Sequence, residues 1–281
     1  MLGTFAPALH GASSVRAVAC EEGDPGYCAP AVGSFLYKPL VHFEIAGQKF
    51  EITKLTLLLY FAILLIGGLF VLATRNPKIV PGKGQWLAEE TYGFVRNGIA
   101  VDVIGPEAGA RFAPYLTSLF LFILALNLFE IVPIAQVPVT GRISIPAALA
   151  AISWLMFNYL GIKRHGFGGY LKAVCMPPNV PWWIYPILIP IEFISTIIIR
   201  PFTLAVRLFA NMFAGHLLLL VFITGATYLF GVGGFSYFFG GVSFAMSILI
   251  TFFELLVDAL QAYIFTILTA IYVSGALAEE H

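Results

Sequence analysis

Apolar residues in this chain run together rather than alternating. Twenty uncharged residues (LTLLLYFAILLIGGLFVLAT) lie between Lys54 and Arg75, eighteen between Arg111 and Glu130, and twenty between Arg142 and Lys163. An α-helix needs about 20 such residues to cross a hydrocarbon core about 30 Å thick. The first run predicts one membrane span, and the next two predict a transmembrane hairpin. Between them, residues 85–103 place Trp86, Leu87, Tyr92, Phe94, Val95 and Ile99 among Glu89, Glu90, Arg96 and Asn97. That stretch is too polar to cross and predicts an amphipathic helix lying in the membrane interface.

The last hundred residues depart from this spacing. Helical composition continues from Ile191 to Phe230 and again from Val242 to Leu277, 40 and 36 residues. At about 1.5 Å per residue these are about 60 Å and 54 Å long, roughly twice the hydrocarbon thickness. Such helices must lie steeply tilted, or the first must bend at Pro201. With the glycine-rich GVGGFSYFFGG between them they predict a long, inclined hairpin.

Composition fixes the solvent. Of 281 residues, 59% are hydrophobic, 15% aromatic and only 11% charged, where soluble domains carry about 25% charged residues. With a mean hydropathy of +0.91, the fold class is an all-α polytopic membrane protein. Fifteen basic and fifteen acidic residues cancel, which excludes the basic surplus of a nucleic-acid binder. Arg75, Lys78 and Lys83 follow the first span, whereas Arg16, Lys38 and Lys49 are offset by Glu21, Glu22, Asp24 and Glu44. By the positive-inside rule the N-terminus faces out, and Lys163, Arg164 and Lys172 return the hairpin to the inside. The expected organisation is an extracytoplasmic segment, 1–50, ahead of a single membrane domain, 51–281, with a cytoplasmic C-terminus.

The first 46 residues lack the form of a signal peptide. Cys20 and Cys28 lie there, either as a disulfide or as two thiols, and the sequence leaves both readings open. Cys175 reads as structural. Pro177, Pro178, Pro181, Trp182 and Trp183 mark a broken, aromatic interfacial segment. No internal repeat, phosphate-binding glycine loop or metal-ligand set is present. The chain is therefore expected to need no cofactor or metal and to catalyse no nucleotide chemistry by itself.

The polar residues of the long hairpin fall in stripes. Arg200, Thr203, Arg207 and Asn211 are spaced 3, 4 and 4, and Glu254, Asp258 and Gln261 are spaced 4 and 3; each set shares a helix face. His216, nine residues past Arg207, points from the opposite face. An arginine in mid-membrane costs about 2.5 to 3.5 kcal/mol even on insertion scales. Either it fastens the hairpin by pairing with Glu254 or Asp258, or it reaches a headgroup, or it serves a function. Because guanidinium stays protonated, it can fix a carboxylate but cannot pass on a proton. Imidazole and carboxyl groups can, so His216 beside an acidic stripe reads as a relay in preference to a packed core histidine.

The run RPFTLAVRLFANMFAGH at residues 200–216 resembles the signature of subunit a of the rotary F-type ATP synthase. The C-terminal LQAYIFTILTAIYVSGALAEEH and the stretch NLFEIVPIA at 127–135 are similar to the same family, so the likeness extends from about Phe35 to the end and looks most like bacterial members. The resemblance implies a stator subunit in a bacterial plasma membrane, forming two proton half-channels against a ring of c subunits. Its partners would be that ring, b-type stator subunits and the remaining synthase subunits. Arg207 matches the essential ring-facing arginine, with Asn211 and Gln261 near it. His216 and Glu254 match an outer proton path in which some members carry acid and histidine the other way round, which suggests a pair sharing a proton. Glu130 matches an acid near the outer end, Thr203 a position held by serine in some members, and Glu192 an inner-channel carboxylate; Asp258 belongs to the same acidic stripe. A secondary transporter or a structural membrane scaffold are the alternatives. Transporters usually show paired repeats, which are absent here.

Overall fold

The structure, a computed structural model, describes residues 41–45, 48–75, 77–132, 137–176, 181 and 183–277. Cys20 and Cys28, with most of the 1–50 segment, lie outside these residues, as do Pro177, Pro178 and Trp182. Among the described residues five helices are long and apolar enough to cross a membrane, as the charge-free runs predict. Ahead of them stands an antiparallel β-hairpin of β1 (Val41–Ile45) and β2 (Gln48–Ile52), paired from Val41 opposite Ile52 to Ile45 opposite Gln48. This small addition to an otherwise helical chain straddles the expected boundary at residue 50 and leads directly into the first span.

Helix α1 (Lys54–Thr74) covers the first run and buries little beyond Leu55 and Ala62. The polar segment becomes α2 (Lys83–Val95), a π-turn over Arg96–Val101 and the one-turn α3 (Asp102–Ile104). Its Val95, Ile99 and Ala100 are fully buried against Ala113 and Leu116 of α4 (Pro106–Ile131) and Ala270 of α8 (Ser236–Leu277), while Glu89, Glu90, Arg96 and Asn97 stay exposed. The hairpin's return arm, α5 (Ser144–Cys175), is broken at Gly166, whose φ of 73° is open to glycine but costly for other residues. Beyond the break the chain folds back, and the Tyr170 hydroxyl donates to Asn158 Oδ1 at 3.0 Å.

The first long helix is longer than the sequence suggests. It runs unbroken over 48 residues, Tyr185–Val232, as α6 (Tyr185–Ile194), a π-turn (Ser195–Ile199) and α7 (Arg200–Val232). The irregularity expected at Pro201 falls just before it. Proline cannot donate to the carbonyl four residues back, and widening the preceding turn to π geometry takes up the missing bond without breaking the helix. The connector is correspondingly short: Gly233 and Gly234, at φ 79° and 64°, turn the chain into α8, which begins at Ser236. At about 1.5 Å per residue the two helices span about 72 Å and 63 Å.

The core lies where four helices meet. Leu119 and Ile123 of α4, Leu149 and Ala150 of α5, Leu204, Ala205 and Leu208 of α7, and Ala262 and Phe265 of α8 form one buried cluster. This gives α7 and α8 an inner face packed on α4 and α5 and an outer face that no described residue covers. Phe202, Leu218, Val221, Leu249, Phe252, Phe253, Leu256 and Leu260 are among the apolar residues exposed there.

Candidate functional site

Helical spacing carries Glu254, Asp258 and Gln261 to the inner side of α8, where all three are buried and Asp258 is only 1% exposed. Opposite them α4 presents Asn127 and Glu130, three residues apart and also buried. His216 enters from α7. Its Nδ1 shares a 2.6 Å hydrogen bond with Glu130 Oε1. Asn127 is fixed at both ends of its amide: Nδ2 donates to the Asp258 carbonyl at 3.4 Å, and Oδ1 accepts from Thr140 at 2.9 Å.

Three carboxyls are thereby enclosed together, with Glu254 close enough to feel Glu130, Asp258 and His216. Several of their polar atoms lack a hydrogen-bond partner: Glu130 Oε2, both Glu254 oxygens, Asp258 Oδ2 and Gln261 Nε2. Buried polar atoms are rarely left in this state unless water or an ion serves them. His216 hydrogen-bonds Glu130, a contact that the expected His216–Glu254 pair did not include. The reason is tertiary: Glu130 closes an uncharged run and reads as a span end, yet the helix runs on to Ile131 and packs it inside the bundle.

Glu254 has a second neighbourhood. Gly215 of α7 lies so near that a β-carbon added there would collide with Glu254 Oε1. A pocket of about 190 Å³ runs between the two helices, lined by Asn211, Ala214, Leu218, Ile250, Phe253 and Val257 with Gly215 and Glu254. Its lining includes the exposed Leu218 and Phe253 as well as the buried Glu254. Asn211, at its edge, is one helical turn from Arg207.

Arg207 itself is exposed on that outer face, and no carboxylate among the described residues lies within ion-pair distance of it. Glu254 and Asp258 point the other way, so pairing within the hairpin does not account for this arginine. Thr203 is exposed too, but its hydroxyl donates back to the Ile199 and Arg200 carbonyls at 2.8 Å and 3.1 Å. Arg200 is half-buried, with its guanidinium 5.3 Å from the centre of the Tyr272 ring. Glu192, half-buried on α6, stands apart from the carboxyl cluster. The structure thus joins Glu130, His216, Glu254, Asp258 and Gln261, adds Asn127 and Thr140, and leaves Arg207, Thr203 and Glu192 elsewhere. Asn127 carried a signal in the sequence, an amide three residues before Glu130 inside an apolar span; Thr140 carried none.

Residues 55–274 match the family model described as ATP synthase A chain. The chain belongs to this family. A relative from Parafrankia sp. (strain EAN1pec), ATP synthase subunit a, is 48% identical over 91% of this chain and 86% of its own length. The protein of the same name from Frankia alni is 49% identical over 92% and 89%, and that from Rhodococcus erythropolis 44% identical over 95% and 96%. The family agrees with the resemblance carried by residues 200–216 and with its bacterial character.

Proposed function

We propose that this chain is the stationary, proton-conducting membrane subunit of an F-type ATP synthase, and that it forms two half-channels against a rotating ring of c subunits. The observation that carries the reading is the relation between the buried carboxyl cluster and the uncovered face. Glu254 belongs to the first and also lines the pocket between α7 and α8, together with Asn211, one turn from Arg207, and with Leu218 and Phe253 of the second. Chemically this is a path ending beside a fixed charge.

Protons from outside reach Glu130 and His216, pass to Glu254 and leave through the pocket to an ionised carboxylate on the ring. Asp258, Gln261 and Asn127 line the path and hold the water that the unpartnered oxygens require. Neutralised, the ring carboxyl can face lipid. At the far side of a turn, Arg207 favours its ionised form and the proton departs toward the cytoplasm along an inner path in which Glu192 takes part. Since guanidinium keeps its charge, Arg207 blocks direct passage between the paths. Thr203, bonded to its own helix, carries no proton. The N-terminus and residues 1–50 lie outside the membrane, residues 51–281 form the membrane domain, and the C-terminus is cytoplasmic. ATP chemistry and the stator stalk belong to partner subunits, including b-type chains. The plasma membrane of a bacterium is the site of action.

Replacement Arg207→Ala tests this reading. Assembly is expected to persist while ATP synthesis driven by a proton gradient in inverted vesicles is abolished; normal coupled synthesis would overturn it.

A further inference from the structure

Connecting segments normally run over a protein's surface, because a buried loop carries backbone groups that are hard to satisfy. The described part of the connection between α4 and α5 does the reverse. Val137, Pro138, Val139, Thr140 and Gly141 are all buried, and Val139 and Thr140 are fully enclosed. Val137 and Val139 pack on Leu55 and Ala62 of α1 and on Leu126 and Phe129 of α4. The Gly141 N–H donates to the Pro138 carbonyl at 3.0 Å, closing a single 3₁₀ turn over Val139–Gly141. Thr140 is thereby held against Asn127. We propose that Thr140 is a positioning residue for proton transfer: acting through the Asn127 amide, it sets the spacing between Glu130 on α4 and Glu254 on α8. This rests on the reading of these carboxyls as a proton path.

Three observations carry it. The first is where Asn127 sits. It lies one turn before Glu130, and its Nδ2 donates to the carbonyl of Asp258, one turn after Glu254. The bond therefore crosses from α4 to α8 one turn away from each acid. Neither Glu254 oxygen has a hydrogen-bond partner to hold it, so its distance from Glu130 follows from how the two helices are pinned. Proton transfer requires that distance to be short, or bridged by one water.

The second observation is that the two bonds of the amide are unequal. The contact with α8 is long, at 3.4 Å, beyond the ordinary range of about 2.7 to 3.2 Å; the contact with Thr140 is 2.9 Å. The amide is thus oriented from the Thr140 end. Because the hydroxyl donates to Oδ1, the donor Nδ2 is turned to the α8 carbonyl. Reversed, the amide would set Oδ1 against that carbonyl, two acceptors together. The third observation is burial itself. Asn127 is 1% exposed and Thr140 0%, and leucine with valine would fill a comparable space with no hydrogen bond to satisfy. Packing alone does not call for the pair.

The test uses vesicles carrying the complete complex, stripped of its soluble sector, and reads passive proton flux per assembled complex. Two pairs isolate the hydroxyl. Threonine and Thr140→Val exchange it for a methyl group, and Thr140→Ser and Thr140→Ala differ by the hydroxyl alone. In each pair the hydroxyl-bearing member should conduct about tenfold faster, the scale expected when a reacting group is displaced by a fraction of an ångström. Should Thr140→Val fail to assemble, the serine–alanine pair decides. The slowed members should also show a larger ratio of flux in H₂O to flux in D₂O, because the proton hop has become limiting; a packing role leaves that ratio unchanged. In an Asn127→Ala background, removing the hydroxyl should have no further effect. Equal flux within a pair that assembles, slower flux with an unchanged isotope ratio, or a full hydroxyl effect without Asn127 would each overturn the proposal. Failure of the path itself looks different: Glu254→Gln would then conduct like the unsubstituted complex. A slow Glu254→Gln beside equal Thr140 pairs would remove the role of Thr140 alone.

Discussion

The two polar regions of the α7–α8 hairpin are built from opposite charges. Near its middle, Glu130, Glu254 and Asp258 are enclosed with the His216 imidazole, and among the described residues no arginine or lysine pairs with them. Near its other end, Arg200 and His165 line a cavity with no carboxylate. Had these residues been retained to fasten helices together, cations and anions would meet, since a buried charge without its partner destabilises more than a pair does. They are instead sorted apart, and Arg207 is apart from both. Polar groups kept in lipid at a cost and left unneutralised by one another are where we propose that something arrives: a proton at the first region and a ring carboxylate at Arg207.

The comparison is broken most severely at the point where cluster and surface meet. Glu254→Gln preserves shape but cannot accept a proton, and ATP-driven proton pumping by the assembled complex is expected to fall about a hundredfold or more, within the range for removing a proton-transfer group. Pumping near the unsubstituted rate would remove Glu254 from the path. Exchanging the partners asks whether the cluster acts as a unit. His216→Glu with Glu254→His together should conduct several-fold better than the worse single change, measured by quenching of a pH-sensitive dye in vesicles. With Glu130 now seen to bond His216 directly, that exchange leaves a carboxyl facing Glu130, so rescue falls short of full activity. A double variant no better than the worse single would show that the positions do not share protons.

How much of this the sequence revealed depends on the range of the interaction. The spans were legible because hydrocarbon thickness sets a length and charges cannot lie inside it. The α8 stripe was legible because 4 and 3 spacing defines a face whatever packs on it. The pairing of His216 with Glu130, 86 residues apart, was not, because it depends on which helix of the bundle lies opposite α7. Bracketing by charge even works against it, treating Glu130 as a boundary when its side chain lies within the packed bundle. The π-turn at Ser195–Ile199 and the fold-back after Gly166 are local adjustments to one proline and one glycine, and each residue was visible although its consequence was not.

Gly215→Ala makes a finer distinction. Its β-carbon would displace the Glu254 carboxylate, and because that carboxylate is the end of a flexible side chain the complex should still assemble. Pumping should drop about tenfold, the scale of effect expected when a reacting group is misplaced by a fraction of an ångström. Unchanged pumping would mean that the position of Glu254 against α7 is immaterial. The smallest effect is expected at Thr203→Val. The hydroxyl bonds only to carbonyls of its own helix, so pumping should stay within about twofold, as for an exposed substitution away from any such feature. A large loss would restore Thr203 to the path.

The central claim is that the buried cluster conducts while Arg207 divides the conduction in two, and passive proton flux separates these roles directly. Membranes containing the assembled complex but stripped of its soluble sector would be compared for Arg207→Ala and Glu254→Gln. Arg207→Ala is expected to leave passive flux intact or raise it while ATP-driven pumping in unstripped membranes is lost; Glu254→Gln is expected to lower both. Retained pumping in Arg207→Ala, or passive flux in Glu254→Gln equal to that of the unsubstituted complex, would contradict the account.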